Sequence, residues 1–112
     1  MADGQERFQL VLTTAGSREQ AETLAKALVE RKLAACVNVI HEICSAYRWK
    51  GEIVEEGEKL LLIKTEPRLL SELRAAIREL HSYELPEVIA LPIEDGDPEY
   101  LKWLAGCLKE DD

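Results

Sequence analysis

Basic residues are scarce and scattered among acids: 14 Lys and Arg stand against 22 Asp and Glu in 112 residues, a formal net charge of −8. Nucleic acids and anionic membrane surfaces are bound through clustered Lys and Arg that displace condensed counterions, so neither is expected as a partner. An acidic surface serves solubility first and is compatible with cations. Long apolar runs are missing too. The longest, Leu60-Leu61-Leu62-Ile63, falls far short of the ~18 residues a membrane-spanning helix needs, so no membrane insertion is expected. Cysteine is limited to Cys36, Cys44 and Cys107. An odd number without C-x-x-C spacing fits reduced thiols better than a disulfide framework or a zinc site. Met1-Ala2-Asp3-Gly4-Gln5-Glu6 has no basic stretch followed by an apolar one, so no leader is expected and the expected location is cytoplasmic. The signatures G-x-S-x-G, the Walker loop and G-x-G-x-x-G do not occur. Ser17 and Asp97 read as helix caps, and neither His41 nor His81 has an evident catalytic partner, so no enzyme is expected.

What is present is an orderly succession of strand and helix signals within the length of one domain, residues 1–112 with a core of about 8–108. Phe8 to Thr14 is a short apolar, partly β-branched run and predicts a strand. After Ala15-Gly16, Ser17-Arg18-Glu19-Gln20 has the form of a capping box, and Ala21, Leu24, Ala25, Leu28 and Val29 repeat at helical spacing to about Lys32. Residues 34–49 contain no Gly or Pro, and their odd positions run Ala35, Val37, Val39, His41, Ile43, Ser45, Tyr47, Trp49. They predict one long strand, turned back by Lys50-Gly51 into a second from Glu52 to Thr65. A bulge is expected at His41, polar in an apolar row, or at Gly57. Pro67 opens a second helix carrying Leu69, Leu70, Leu73, Ala76, Ile77 and Leu80, which stops before Pro86. Glu87 to Ile93 is a last strand of central rather than edge type. Asp97 caps a helix from Pro98 with two apolar stripes, Leu101/Leu104/Leu108 and Tyr100/Trp103/Cys107, and Glu110-Asp111-Asp112 is expected to fray. The order predicts an α+β, ferredoxin-like βαββαβ sandwich with a long central hairpin and an additional C-terminal helix.

A hairpin this long outgrows ordinary strands of about 5–6 residues and exposes edges that proteins normally protect. Tyr47, Trp49, Tyr100 and Trp103 either fill the domain's own core or meet other chains. The length of the ribbon favours the second, in a closed homo-oligomer.

Candidate chemistry is sparse. On a regular strand Cys36 and Cys44 would share a face about 26 Å apart, with His41 pointing the other way, so one chain cannot build a metal site from them; the two thiols suit packing. His81-Ser82-Tyr83-Glu84-Leu85-Pro86-Glu87 is denser in functional groups. His81 reads as a metal ligand or as a cap on the last helical carbonyls, and Glu84 and Glu87 as a cation clamp, as partners of Lys64, or as solvated acids.

Leu33-Ala34-Ala35-Cys36-Val37-Asn38, Ser45 to Gly51, Leu62-Ile63-Lys64-Thr65, His81 to Pro92 and Tyr100-Leu101-Lys102-Trp103-Leu104 resemble, in order, the signatures of the CutA divalent-cation tolerance family. The resemblance implies a homotrimer packed through long strands, and copper or another divalent cation as ligand. It implies a metal site around His81, Glu84, Glu87 and Cys36, built between subunits, in a cleft with Lys64, Tyr83, Trp49, Arg48 and Thr13. The copper site described for bacterial members has a Cys near the end of the first strand and two adjacent His after the second helix. Thr13 and Leu80-His81 stand there in this chain, and Ser82 replaces the usual Pro. Likeness to PII-type trimers implies a rival role, sensing a small anionic metabolite through Lys64 and Arg48. A purely structural or anchoring trimer is the third alternative.

Overall fold

Four alternating apolar runs, with 3.6-period stripes between them, assemble into a four-stranded antiparallel sheet in which the second strand in chain order lies at one edge, followed by the third, the first and, at the other edge, the fourth. The computed structural model describes residues 7–110; the expectations for Met1–Glu6 and for Asp111-Asp112 lie outside them. Its elements are β1 (Gln9–Ala15), α1 (Arg18–Glu30), β2 (Cys36–Trp49), β3 (Glu52–Thr65), a 3₁₀ turn (Pro67–Leu69) leading into α2 (Leu70–Leu80), β4 (Ile89–Pro92) and α3 (Pro98–Cys107). This is the ferredoxin-like plan with one extra helix. Leu24 and Leu28 of α1 and Leu73 and Ile77 of α2 join Val11, Leu61 and Ile63 of the sheet in one buried core. Ser17 Oγ accepts from the Gln20 N–H at 3.1 Å and Asp97 Oδ2 from the Tyr100 N–H at 3.0 Å, which satisfies free donors at the starts of α1 and α3. The capping box is only half formed, because the Gln20 side chain reaches elsewhere.

β2 and β3 are each 14 residues long, whereas β1 ends at Ala15, opposite Lys59. The remainder of the hairpin therefore runs on as a two-stranded ribbon. Its turn places Lys50 at φ 51° and Gly51 at φ 83°, the left-handed pair a two-residue hairpin loop requires. Between Ile40 and Ile43 the register shifts, so His41 and Glu42 oppose Lys59 alone. The expected bulge is there; Gly57 pairs regularly with Cys44. The shift changes which side chains share a face. Val37 and Val39 lie toward α1, while Tyr47 and Trp49, also odd-numbered, pair with Val54 and Glu52 on the opposite side. For the same reason Cys36, opposite Lys64, and Cys44, opposite Gly57, are on different faces, which corrects the reading from a regular strand.

β4 lies at the edge of the sheet, not in its centre, and all four of its residues are exposed. Its apolar pattern belongs to the sheet face turned away from α1 and α2. There Leu10, Leu12, Leu60 and Leu62 are half-buried, and Ile40, Ile89 and Leu91 are 45%, 48% and 44% exposed. On the helix side Thr13 is fully buried, and its hydroxyl finds no hydrogen-bond partner among the described residues. Thr13→Val keeps the shape and removes the unpaired group, so urea unfolding is expected to show a gain of about 1 kcal/mol.

Candidate acidic cleft

α2 ends at Leu80, and the chain then crosses the end of β1 toward the ribbon, held from two sides. The His81 ring donates from Nε2 to the Thr14 carbonyl at 2.6 Å and accepts the Tyr83 N–H on Nδ1 at 3.0 Å. These bonds fix the neutral ring with its proton on Nε2 and occupy both nitrogens. The Gln20 amide donates to the Leu80 carbonyl at 3.3 Å and accepts the Ser82 N–H at 2.7 Å. Tyr83 then passes over Gly16, where an added Cβ would stand 3.1 Å from the phenol oxygen. Its hydroxyl donates to Glu58 Oε2 at 2.6 Å.

A cleft of about 920 Å³ opens between this loop and the ribbon. Tyr47, Trp49 and Glu58 form one wall, Tyr83, Leu85 and Glu87 the other, with Thr14 at the base. Tyr47 donates to Glu56 Oε1 at 2.5 Å; this bond to a carboxylate pushes the phenol up to about 12. Partial burial, then the bond to Glu58, raises Tyr83 further. Glu87 is raised as well, by desolvation first and the neighbouring Glu58 charge second. The folded protein thus holds the Glu87 proton more tightly than the unfolded chain. Its contribution to stability is full below the ordinary value of 4.5 and is lost as pH rises through the raised value. Glu87→Gln is therefore expected to stabilise the fold at neutral pH, and thermal melts should show the gain vanish under more acidic conditions.

The sequence-based candidates fall in three places. Glu84, Glu87, Tyr83 and Trp49 line the cleft, and His81 braces it from behind. Arg48 pairs with Ile53 on the other face of the ribbon. Thr13 faces the core, and its neighbour Thr14 meets the cleft instead. Cys36 and Lys64 oppose each other six β3 residues from Glu58, about 20 Å at the strand rise. Lys64 there reaches the Tyr100 hydroxyl at 3.5 Å. Glu58, Tyr47 and Gln20 were not among the candidates. The even positions Val54, Glu56 and Glu58 share the face of Tyr47 and Trp49, a row that becomes visible once the bulge at His41 is placed.

Residues 9–107 match the family model described as CutA1 divalent ion tolerance protein. The chain belongs to this family. The divalent-cation tolerance protein CutA of Thermus thermophilus is 51% identical over 96 residues, 86% of this chain and 93% of that protein. The CutA homolog of Xenopus laevis is 53% identical over 90 residues, 80% of this chain but only 60% of its own length. The crystal structure of CutA1 from Oryza sativa superimposes with a TM-score of 0.91 at 39% identity, covering 96% of this chain and 98% of that one. The CutA1 match includes the whole cleft, from Thr14 to Glu87, and both strands of the ribbon.

Proposed function

We propose that the chain acts as a homotrimer that binds cations in this cleft and takes part in the response to divalent metal ions. The observation that carries the reading is charge: Glu58, Glu84 and Glu87 line the cleft, and among the described residues no Lys or Arg does. Family membership supports the connection with divalent ions. The apolar sheet face and the exposed strand β4 support assembly, since both would be covered by sister copies.

A copper site of His and Cys donors does not fit one chain. Both His81 nitrogens are engaged, Cys36 lies at the far end of the sheet, and no group of three or more His, Cys, Asp or Glu among the described residues converges on a metal position. Carboxylate oxygens suit harder divalent ions, and Cys36 would join such a site only from a neighbouring copy. The PII-like anion reading is weaker, because Arg48 and Lys64 lie away from the cleft.

Calorimetric titration with copper and calcium chlorides tests the proposal on the wild type, Glu87→Gln and His81→Ala. Loss of a carboxylate ligand is expected to weaken binding about tenfold, and loss of His81, which braces the loop without facing the ion, to weaken it less. Equal affinities in wild type and Glu87→Gln would remove the cleft from cation binding and leave the anchoring role.

A further inference from the structure

We infer that the ligand of this cleft is an organic ammonium ion, seated between aromatic faces and the Glu58 carboxylate, an inference that rests on the cleft being a cation site. Size is the first argument. A volume of about 920 Å³ belongs with small-molecule sites, which span about 300–1,000 Å³. A bare metal ion needs only a tight shell of oxygens, and no such shell converges among the described residues.

The walls are the second. Tyr47, Trp49 and Tyr83 supply rings, and Leu85 and Pro86 add apolar surface. Ring faces attract a weakly hydrated organic cation, and apolar walls cover its carbon body; a strongly hydrated metal ion gains little from either. The third is Glu58 itself. It is only 4% exposed, its hydrogen-bond partner is the Tyr83 phenol, and no Lys or Arg among the described residues pairs with it. A buried carboxylate ordinarily has a positive partner, and here the cleft is where one would enter.

The chain also displays the binding mode at the cleft's mouth. Lys50 Nζ lies 5.7 Å from the centroid of the Trp49 ring and 3.9 Å from Glu84 Oε1. A primary ammonium thus already sits against a ring and a carboxylate, on a flexible and largely exposed stem that can give way. A ligand of this class would point its charged nitrogen toward Glu58 and Glu87 and lay its carbon body along Trp49 and Leu85.

The test follows Trp49 emission in a Trp103→Phe background while the assembled protein is titrated with choline, 1,4-diaminobutane, the neutral choline isostere 3,3-dimethyl-1-butanol, and calcium chloride. Both ammonium compounds are expected to bind at least about tenfold more tightly than the neutral isostere. Glu58→Gln should weaken choline binding about tenfold by the same readout; in calorimetric titration, Trp49→Leu should weaken it about tenfold as well, while Trp49→Phe, which keeps a ring, retains most of it. Light scattering and melting curves identify any variant that fails to assemble, and the isostere comparison on the parent protein stands without them. Binding of the isostere as tight as that of choline would overturn the inference. Calcium binding without ammonium binding would overturn it and leave the cation site standing; binding of no cation at all would sink both.

Discussion

Removal of Gly57 is expected to turn Tyr47 and Trp49 out of the cleft, whereas removal of Glu42 is expected to leave them in it. Both deletions shorten the ribbon by one residue, on opposite strands. The tip is fixed by its turn, through Trp49–Glu52 and Tyr47–Val54, and the base by Cys36–Lys64 through Ile40–Leu60. These two registers differ by one residue, and the bulge at His41-Glu42 absorbs the difference. Deleting Glu42 takes away that extra residue and leaves every pair on either side of it in place. The Glu42–Lys59 contact of 3.6 Å is lost, but Glu42 is 87% exposed, and such pairs contribute less than about 1 kcal/mol. β3 has no such slack. Deleting Gly57 moves Glu56 and Val54 to the face opposite Glu58, and with them the paired Tyr47 and Trp49, because side chains alternate with a period of two. The cleft then loses its aromatic wall while the ribbon still closes. Trp49 emission in the Trp103→Phe background should shift to longer wavelength only in the Gly57 deletion, with cation binding weakened at least about tenfold. Equal behaviour of the two deletions would mean that the bulge does not reconcile the registers.

The same contrast shows what periodicity conveys. Ser17 and Asp97 announce helix starts through chemistry confined to one turn, and both caps are where the spacing puts them. The long hairpin is visible because residues 34–49 hold nothing that would break a strand, and the bulge because His41 interrupts an apolar row. Each of these is a local matter. What lies on top of a strand is not. Glu58 belongs to an acidic stretch, Glu55-Glu56-Gly57-Glu58, whose ordinary meaning is a solvated ribbon. Its bond to Tyr83, 25 residues further on, and its burial are invisible in that stretch. Gln20 has the sequence position of a capping-box partner, yet its amide is used 60 and 62 residues away. His81 resembles a ligand in sequence because nothing nearby reveals that Thr14 and Tyr83 occupy its ring. The misplacement of β4 has another cause. Apolar residues mark burial, and a strand at the edge of one chain looks central when its cover comes from elsewhere.

That cover can be removed by a single charge. Leu12→Glu is expected to yield a folded chain with the mass of a lone protomer, 12.6 kDa, where the proposed trimer of the wild type is expected at about 38 kDa, three times the mass of one chain. Leu12 sits mid-sheet, paired with Leu62 on one side and Ile89 on the other, on the face away from α1 and α2. Its neighbours Val11 and Thr13 point into the core and are untouched. In the lone chain the position is half-buried, so a carboxylate there can keep much of its water. In a closed trimer the same carboxylate would be desolvated in every copy at once, at several kcal/mol per ion with no positive partner. The penalty falls on association, which would lose far more than the fold does. Circular dichroism should retain the wild-type signature, and Ala75→Glu, the same charge on the exposed side of α2, should leave the mass near 38 kDa, three times that of one chain. A Leu12→Glu protein that still scatters as three copies would show that the apolar sheet face is not where the chains meet, and the exposed Ile40, Ile89 and Leu91 would then need another explanation.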